Sequence, residues 1–409
     1  MINGESLKAV SASYIDTNRV KPLYDSYCFS RIPDTIYNLL TGADAPTLPM
    51  SVLDGLPTRY DKVVLLFVDA FGWRFFEQYG DAYPFIRRFV EQGMVSKMTS
   101  QFPSTTAVHY TTIQTGLNVG GHGIVDMAYY EPLVDEIISP LYFPYGEISP
   151  AALFPNTTVY HRLAEQGVRS YVFQDRDTLS DFLAAGAHRI TPHRTLSEGL
   201  TNLGDAILNE SGKAYYFLYF GLLDTLAHIY GPGSRQLAAE IDTCFTAMER
   251  LLHPILDGQA KNTLLLVTAD HGQTEISPET TLYLDTIAPE VMPLLKVNQR
   301  GERLPPGGSP RDLLLYIRPE CLDEAYGLLT ERFNGRAEVR YMRDMIAQGY
   351  YGATVSDTFL SRAADLVILP HDHESLWWTE AGRYQQAFYG FHGGLSANEM
   401  EIPLLALAY

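Results

Sequence analysis

Asp224 and His228 stand four residues apart in LLDTLAHIYGP. On a helix that spacing stacks both side chains on one face, within reach of one ion or of each other as a plain surface pair. Asp69 closes the apolar run KVVLLFVD, and Asp270 with His271 closes NTLLLVTADH. Helix N-caps and ordinary strand ends carry the same residue types. His392 lies in YGFHGGLSANEMEIPLL, between glycines that let backbone or a metal approach closely. The stretch FPSTTAVHYTTIQTG, residues 102–116, puts Ser104, Thr105 and Thr106 directly after a proline. Those hydroxyls read as a helix start, as a source of a nucleophile, or as both.

Together, three aspartates, three histidines and one hydroxyl supply two oxygen and nitrogen sites of the kind Zn²⁺ accepts, with open positions left over. Asp224, His228 and His392 make one set. Asp69, Asp270, His271 and an oxygen from FPSTT make the other. An aliphatic hydroxyl is a poor nucleophile at neutral pH, and direct coordination to a dication lowers its pKa enough to ionise it.

The elements that must position these groups follow from apolar periodicity. Strands are expected at 62–69, 169–174, 214–221, 262–270, 312–318 and 365–370, and helices near 71–80, 105–115, 197–209, 235–256 and 320–333. Strands apolar on both faces and separated by helices predict an α/β fold, a large mostly parallel central sheet covered by helices on both faces. Such sheets bind ligands just beyond strand C-termini, where Asp69 and Asp270 fall. The Pro-, Gly- and charge-rich stretch NQRGERLPPGGSPRD, 298–312, reads as a loop. It leads to an expected small α+β subdomain inserted at 276–364, with 1–275 and 365–409 as the core. The chain is then expected to re-enter the main sheet through DLVILP, 365–370.

Composition narrows the partners. A formal net charge of −18 over 409 residues argues against a nucleic-acid backbone as the main partner and leaves a small anionic substrate open. Cys28, Cys244 and Cys321 lie far apart and fit reduced thiols. The opening MINGESLKAVSASYIDTNRV lacks the basic start and apolar core of a secretory signal, and AYYFLYFGLLDTLAHIYG carries Asp224 and His228, so it reads poorly as a membrane span. A cytoplasmic location is the expectation.

The ordered set VDAFG, FPSTTAVHYTTIQTG with HGI, DTLAH, TADHG and FHGGLS resembles the alkaline phosphatase superfamily, and within it the type I phosphodiesterase/nucleotide pyrophosphatase branch. The motifs run in that family's order over nearly the whole chain. The resemblance implies a nucleophile ten residues before Gly116, which selects Thr106 and leaves Ser104 and Thr105 in the approach loop. A Thr here is similar to the diesterase branch, whereas monoesterases carry Ser and sulfatases a Cys-derived residue. It also implies two divalent metal ions, Zn²⁺ by donor type: one on Asp224, His228 and His392, the other on Asp69, Thr106, Asp270 and His271. Family diesterases read HGIVxN with a donor Asn, while this chain reads HGIVDM with Met127, whose thioether donates nothing. Tyr129, Tyr130 or His109 is expected to substitute as substrate-binding donor, unless the metals take over that charge neutralisation.

The implied activity is in-line hydrolysis of a small phosphate ester or diester through a phospho-threonine. A phosphomonoesterase or phosphonate hydrolase on the same scaffold, or a binding module without turnover, stand as alternatives. Outside this set, PHDHESLWW (370–378) is read as a solvated loop near the cleft, its Trp377 and Trp378 lining the cleft or packing on the subdomain. Arg311 is read as a loop salt-bridge partner, with a phosphate contact as the alternative.

Overall fold

The run KVVLLFV forms the strand Lys62–Val68, in which every residue after Lys62 is buried. The computed structural model describes residues 1–142, 148–175, 182–380 and 382–409. Equally apolar runs give Ala214–Phe220 and Thr263–Thr268, which flank Lys62–Val68 in parallel. Arg169–Asp175 pairs in parallel with Ala214–Phe220, and Arg189–His193 extends the sheet beyond it. On the opposite side Glu401–Ala408 runs antiparallel between Thr263–Thr268 and Met94–Thr99. The result is a seven-stranded, mostly parallel sheet. Met94–Thr99 escapes the apolar pattern because Ser96, Lys97 and Thr99 interrupt it, yet Ser96 and Thr99 are fully buried.

The C-terminal ends of Lys62–Val68, Met94–Thr99, Ala214–Phe220 and Thr263–Thr268 share one edge of this sheet. The antiparallel strand Glu401–Ala408 starts at that edge. Chain leaving or entering the sheet there is thus brought together from positions hundreds of residues apart. Helix Thr106–Thr115 follows Met94–Thr99 and is buried from Ala107 to Thr115, ending at Gly116 with φ +77°. The helix expected over 235–256 is broken: Arg235–Ala247 passes into a π-turn at Met248–Leu252 before His253–Gln259. Pro254 sits where that last helix starts and has no N–H to continue the earlier ladder.

A second, four-stranded antiparallel sheet is ordered Gly307–Ser309, Asp312–Leu315, Leu366–Pro370, Ala337–Tyr341, with helix Leu322–Arg332 close by. It has its own apolar core, from Leu282 through Leu376. This corrects the expected return of the chain at 365–370: Leu366–Pro370 is an inner strand of the small sheet. Its residues are all buried, and a run that is apolar on both faces reads the same in either sheet. Trp377 and Trp378 pack against this second core. Among the described residues no helix is long and apolar enough to cross a membrane.

Candidate metal centre and nucleophile

Asp69 is the first residue after Lys62–Val68, and its backbone N–H donates to Phe220 at 3.0 Å, one strand across. Gly72 follows because a Cβ there would lie 2.7 Å from the Gly272 backbone, so the loops after two neighbouring strands touch directly. Asp270 and His271 arrive from the second of these loops. Thr106 opens its helix at the same edge, with Thr105 in extended conformation as N-cap. These four residues converge. His271 Nε2 lies 3.2 Å from Thr106 Oγ1, 3.2 Å from Asp270 Oδ2 and 3.6 Å from Asp69 Oδ1.

The hydrogen bonds around the carboxylates leave one oxygen of each unspent. Asp69 Oδ2 accepts from the Tyr219 hydroxyl at 2.5 Å, and Asp270 Oδ1 accepts from the N–H groups of Ala70 (3.2 Å) and His271 (3.0 Å). Asp69 Oδ1 and Asp270 Oδ2 are buried with no hydrogen-bond partner. A buried carboxylate oxygen left so is costly unless a cation meets it.

The second group lies beside the first. Asp224 and His228 share one face of helix Leu222–Tyr230, with His228 Nε2 3.3 Å from Asp224 Oδ2. His392 Nε2 is 3.2 Å from His228 Nε2 and 3.5 Å from Asp224 Oδ1. All three histidines point Nδ1 at a backbone carbonyl: His228 to Gly390 (2.8 Å), His392 to Ser104 (2.8 Å), His271 to Gly272 (3.0 Å). Each Nδ1 therefore holds the proton, and each Nε2 presents a lone pair to the centre. Two such lone pairs facing each other repel unless a cation lies between them. The rings of His271 and His392 stack at 3.6 Å, so the groups adjoin, and His271 also falls within reach of the Asp224 and His392 donors.

The electrostatics carry the same message. Burial, then the charges of Asp270 and Asp224, push the Asp69 carboxyl well above its usual range. Burial works upward on Asp270 and Asp224 as well, but the adjacent His271 pulls the first down and His228 with His392 pulls the second down. Burial and His271 drive His392 well below the ordinary imidazole range. Among the described residues lining the cavity over this centre, about 510 Å³, there is no Lys or Arg. Imidazole nitrogens, carboxylate oxygens and a hydroxyl are a donor set that suits Zn²⁺, Mn²⁺ or Fe.

All seven residues expected as ligands or nucleophile thus come together. His109, Tyr129 and Tyr130 do not join them. His109 is buried, its Nδ1 donating to Thr105 (2.8 Å) and its Nε2 accepting from the Gln101 N–H (2.9 Å). Tyr130 donates to Asp135, and Tyr129 packs in the main core. Met127 does line the cavity, along with Tyr142, Leu222, Ile229 and Phe388. No described residue of 276–364 lines it. Arg311, instead of meeting a phosphate, forms a fully buried pair with Glu399. In the PHDHE loop, Asp372 accepts from Asn18 and Thr274, and Glu374 pairs with Arg336.

Three further residues support the site, two of them absent from the sequence-based expectations and the third, Ser104, expected only as part of the approach loop. Tyr219 sits five before Asp224 on a strand whose alternation points it at Asp69. Gln273 donates through Nε2 to Asp224 Oδ1 at 2.5 Å. Ser104 is the third, and nothing in a local window distinguishes it from a loop serine.

The sequence profile of the family described as type I phosphodiesterase/nucleotide pyrophosphatase matches residues 63–395. Human ectonucleotide pyrophosphatase/phosphodiesterase family member 5 is 24% identical over 269 residues, 60% of this chain and 52% of that protein. Human bis(5'-adenosyl)-triphosphatase is 23% identical over 250 residues, 55% of this chain and 50% of that one. The chain thus spans about half the length of these relatives. Among solved structures, an inactive variant of murine ectonucleotide pyrophosphatase/phosphodiesterase 5 in complex with AMP superposes with a TM-score of 0.68 at 17% identity, covering 85% of this chain and 88% of the other. That likeness establishes a shared fold.

Proposed function

This chain belongs to the type I phosphodiesterase/nucleotide pyrophosphatase family, and from that premise we propose that it hydrolyses small phosphodiesters or nucleotide pyrophosphates with Thr106 as nucleophile. The observation that carries the reading is the convergence of Thr106 Oγ1, Asp69 Oδ1, Asp270 Oδ2 and His271 Nε2, two of them orphaned carboxylate oxygens. The AMP held by the murine neighbour supports a nucleotide among the ligands.

Asp69, Asp270, His271 and Thr106 would hold one divalent cation, and Asp224, His228 and His392 a second, with Zn²⁺ favoured by donor type. When bound, such a pair supplies Lewis-acid charge neutralisation and lowers the pKa of a hydroxyl or water. Three carboxylates would leave one of the pair's four positive charges to balance Thr106 Oγ1 as it ionises, its proton passing to solvent and one from water meeting the departing oxygen. The threonine oxygen then attacks phosphorus in line with the departing oxygen; the new P–O bond forms as the ester or anhydride bond breaks. Water attacks the phospho-threonine in turn, releasing the phosphoryl product and returning a proton to Thr106. The leading N–H groups of helix Thr106–Thr115 and its dipole favour an anion at this position. His228, His392 and His271 act by holding Nε2 unprotonated, which their backbone carbonyl partners enforce.

Turnover of bis-p-nitrophenyl phosphate against p-nitrophenyl phosphate, with wild type and Thr106→Ala, tests the proposal. Wild type should favour the diester, an acid quench should trap phosphate on the peptide bearing Thr106, and the variant should lose about 10³-fold or more in kcat. Intact hydrolysis by Thr106→Ala would refute the nucleophile. A strong monoester preference would replace the diesterase reading with a monoesterase.

A further inference from the structure

Ser104 is fully buried two residues before Thr106, and each of its polar atoms is committed to the segment 392–394. Its carbonyl accepts from His392 Nδ1 at 2.8 Å. Its hydroxyl donates to the Gly394 carbonyl at 2.9 Å and accepts from the Gly393 N–H at 3.0 Å. Its own N–H leans on the Gly393 carbonyl at 3.4 Å. Gly393 can lie against the serine only because φ is +127° and because a Cβ there would collide with Ser309 Oγ and Asp312 Oδ1.

The two loops so joined carry different jobs. One delivers the proposed nucleophile; the other delivers His392. Among the described residues no other hydrogen bond runs from 103–106 to 391–394. Ser104 is thus the direct link between the two loops, beside the indirect one in which His271 bonds Thr106 and stacks on His392 and the hold of Ser309 on the His392 carbonyl. The Ser104 backbone carbonyl fixes the His392 tautomer by accepting its Nδ1 proton, and the hydroxyl fixes the path of Gly393 and Gly394 beside it.

We infer that Ser104 is a positioning residue which registers the nucleophile loop against the His392 loop, and which sets the affinity of the Asp224, His228 and His392 group for its cation. The inference rests on the functional reading above, since it assigns those loops to one site. Side chains that orient metal ligands from behind typically contribute 10–100-fold in metal affinity or activity.

The test compares wild type, Ser104→Ala and Thr115→Ala. Thr115 is a control because it is buried, on the same helix, and its hydroxyl donates to the Thr111 carbonyl and accepts from the Leu117 N–H, both away from the site. Zn²⁺ affinity is read by competition with a chromophoric chelator, together with the melting temperature of metal-free protein and kcat and KM for bis-p-nitrophenyl phosphate. Ser104→Ala should weaken the Zn²⁺ affinity of one of two sites by 10–100-fold and lower kcat by a similar factor, with KM changed less than threefold. Thr115→Ala should lower the melting temperature and leave both affinities in place. Equal loss of affinity in the two variants, or full affinity in Ser104→Ala beside a working wild type, would overturn the inference while the functional reading stood. A wild type that binds no Zn²⁺ would remove both.

Discussion

Glu399 offers a strong perturbation of the site from a residue that never touches it. Its carboxylate is fully buried and accepts five hydrogen bonds: from Arg311 Nε (3.0 Å) and Gly394 N–H (2.9 Å) on Oε1, and from Arg311 Nη2 (2.9 Å), Ser396 N–H (3.2 Å) and Ser396 Oγ (2.6 Å) on Oε2. Glu399→Gln keeps the shape, but its amide nitrogen meets at least two donors whichever way the group turns. Arg311, 1% exposed, loses the Glu399 charge and one of its two bonds to that side chain, keeping one to the amide oxygen and those to the carbonyls of His371 and Glu374. Breaking a buried pair from one side costs about 3–5 kcal/mol. At about 2.1 cal/mol/K per residue the unfolding entropy of 409 residues is about 0.9 kcal/mol/K, so the melting temperature should fall by about 4–6 °C. Thermal and urea unfolding of Glu399→Gln, Arg311→Met and the double variant provide the assay. The double variant should be more stable than the sum of the singles predicts by about 1.5 kcal/mol or more. A fall below 1 °C for Glu399→Gln, or additivity within about 0.5 kcal/mol, would refute the claim that this pair holds the 394–396 turn.

Asp69→Asn should raise the melting temperature of chelator-treated protein, because it removes a charge that burial and its carboxylate neighbours oppose. It should also erase the stabilisation that Zn²⁺ at a hundredfold excess over its Kd gives that site in wild type, about 2.7 kcal/mol; an undiminished Zn²⁺ shift would refute this. Gln273→Leu frees the Asp224 carboxylate and should weaken metal binding by about 10–100-fold, measured by chelator competition. Burial holds His109 down to about 4 and His122 to about 3. Both stay neutral in the fold while the unfolded chain takes up protons below about 6.5. Their contribution is therefore complete above pH 6.5 and is lost as pH falls, towards 4 for His109, about 3 kcal/mol, and towards 3 for His122, about 5 kcal/mol. Urea unfolding of His122→Gln should show a correspondingly shallower decline between pH 7 and pH 4 than wild type; identical slopes would refute it.

The site was legible because its residues obey rules that act over a few positions. Asp69, Asp270 and His271 follow β-branched, apolar runs, so their place at the sheet's C-terminal edge is a consequence of strand length. Asp224 and His228 follow from helical spacing. Thr106 and His392 needed the resemblance, since three adjacent hydroxyls and a loop histidine carry no local mark of function. What stayed hidden depends on partners far away in the chain. Met94–Thr99 is a buried strand with a lysine in it, tolerated because Lys97 pairs with Glu401 across the strand edge. Leu366–Pro370 is apolar on both faces, a pattern that says "buried strand" without saying in which sheet. His109, Tyr129 and Tyr130 were reasonable donors by type, but the helix and hairpin that carry them aim them at Gln101, the main core and Asp135.

The inserted unit takes a different place from the one its position in the chain suggests. It contributes no described residue to the cavity wall, and it reaches the centre from behind. The Ser309 hydroxyl lies 3.1 Å from the His392 carbonyl and 2.5 Å from Asp312 Oδ1, sharing its one proton between them, while Arg311 grips Glu399 under the following turn. Asp312 and Asp126 share a buried contact in which burial, then the charge of Asp126, raises the Asp312 carboxyl well above its usual range. That contact ties the unit to the loop bearing Met127. On the proposed reading, Met127, Tyr142, Ile229 and Phe388 form the apolar wall that would meet the leaving group, and the small sheet would act on turnover through the geometry of one histidine. Substitutions in its outer strands should change metal affinity and stability together and leave the ranking of substrates alone.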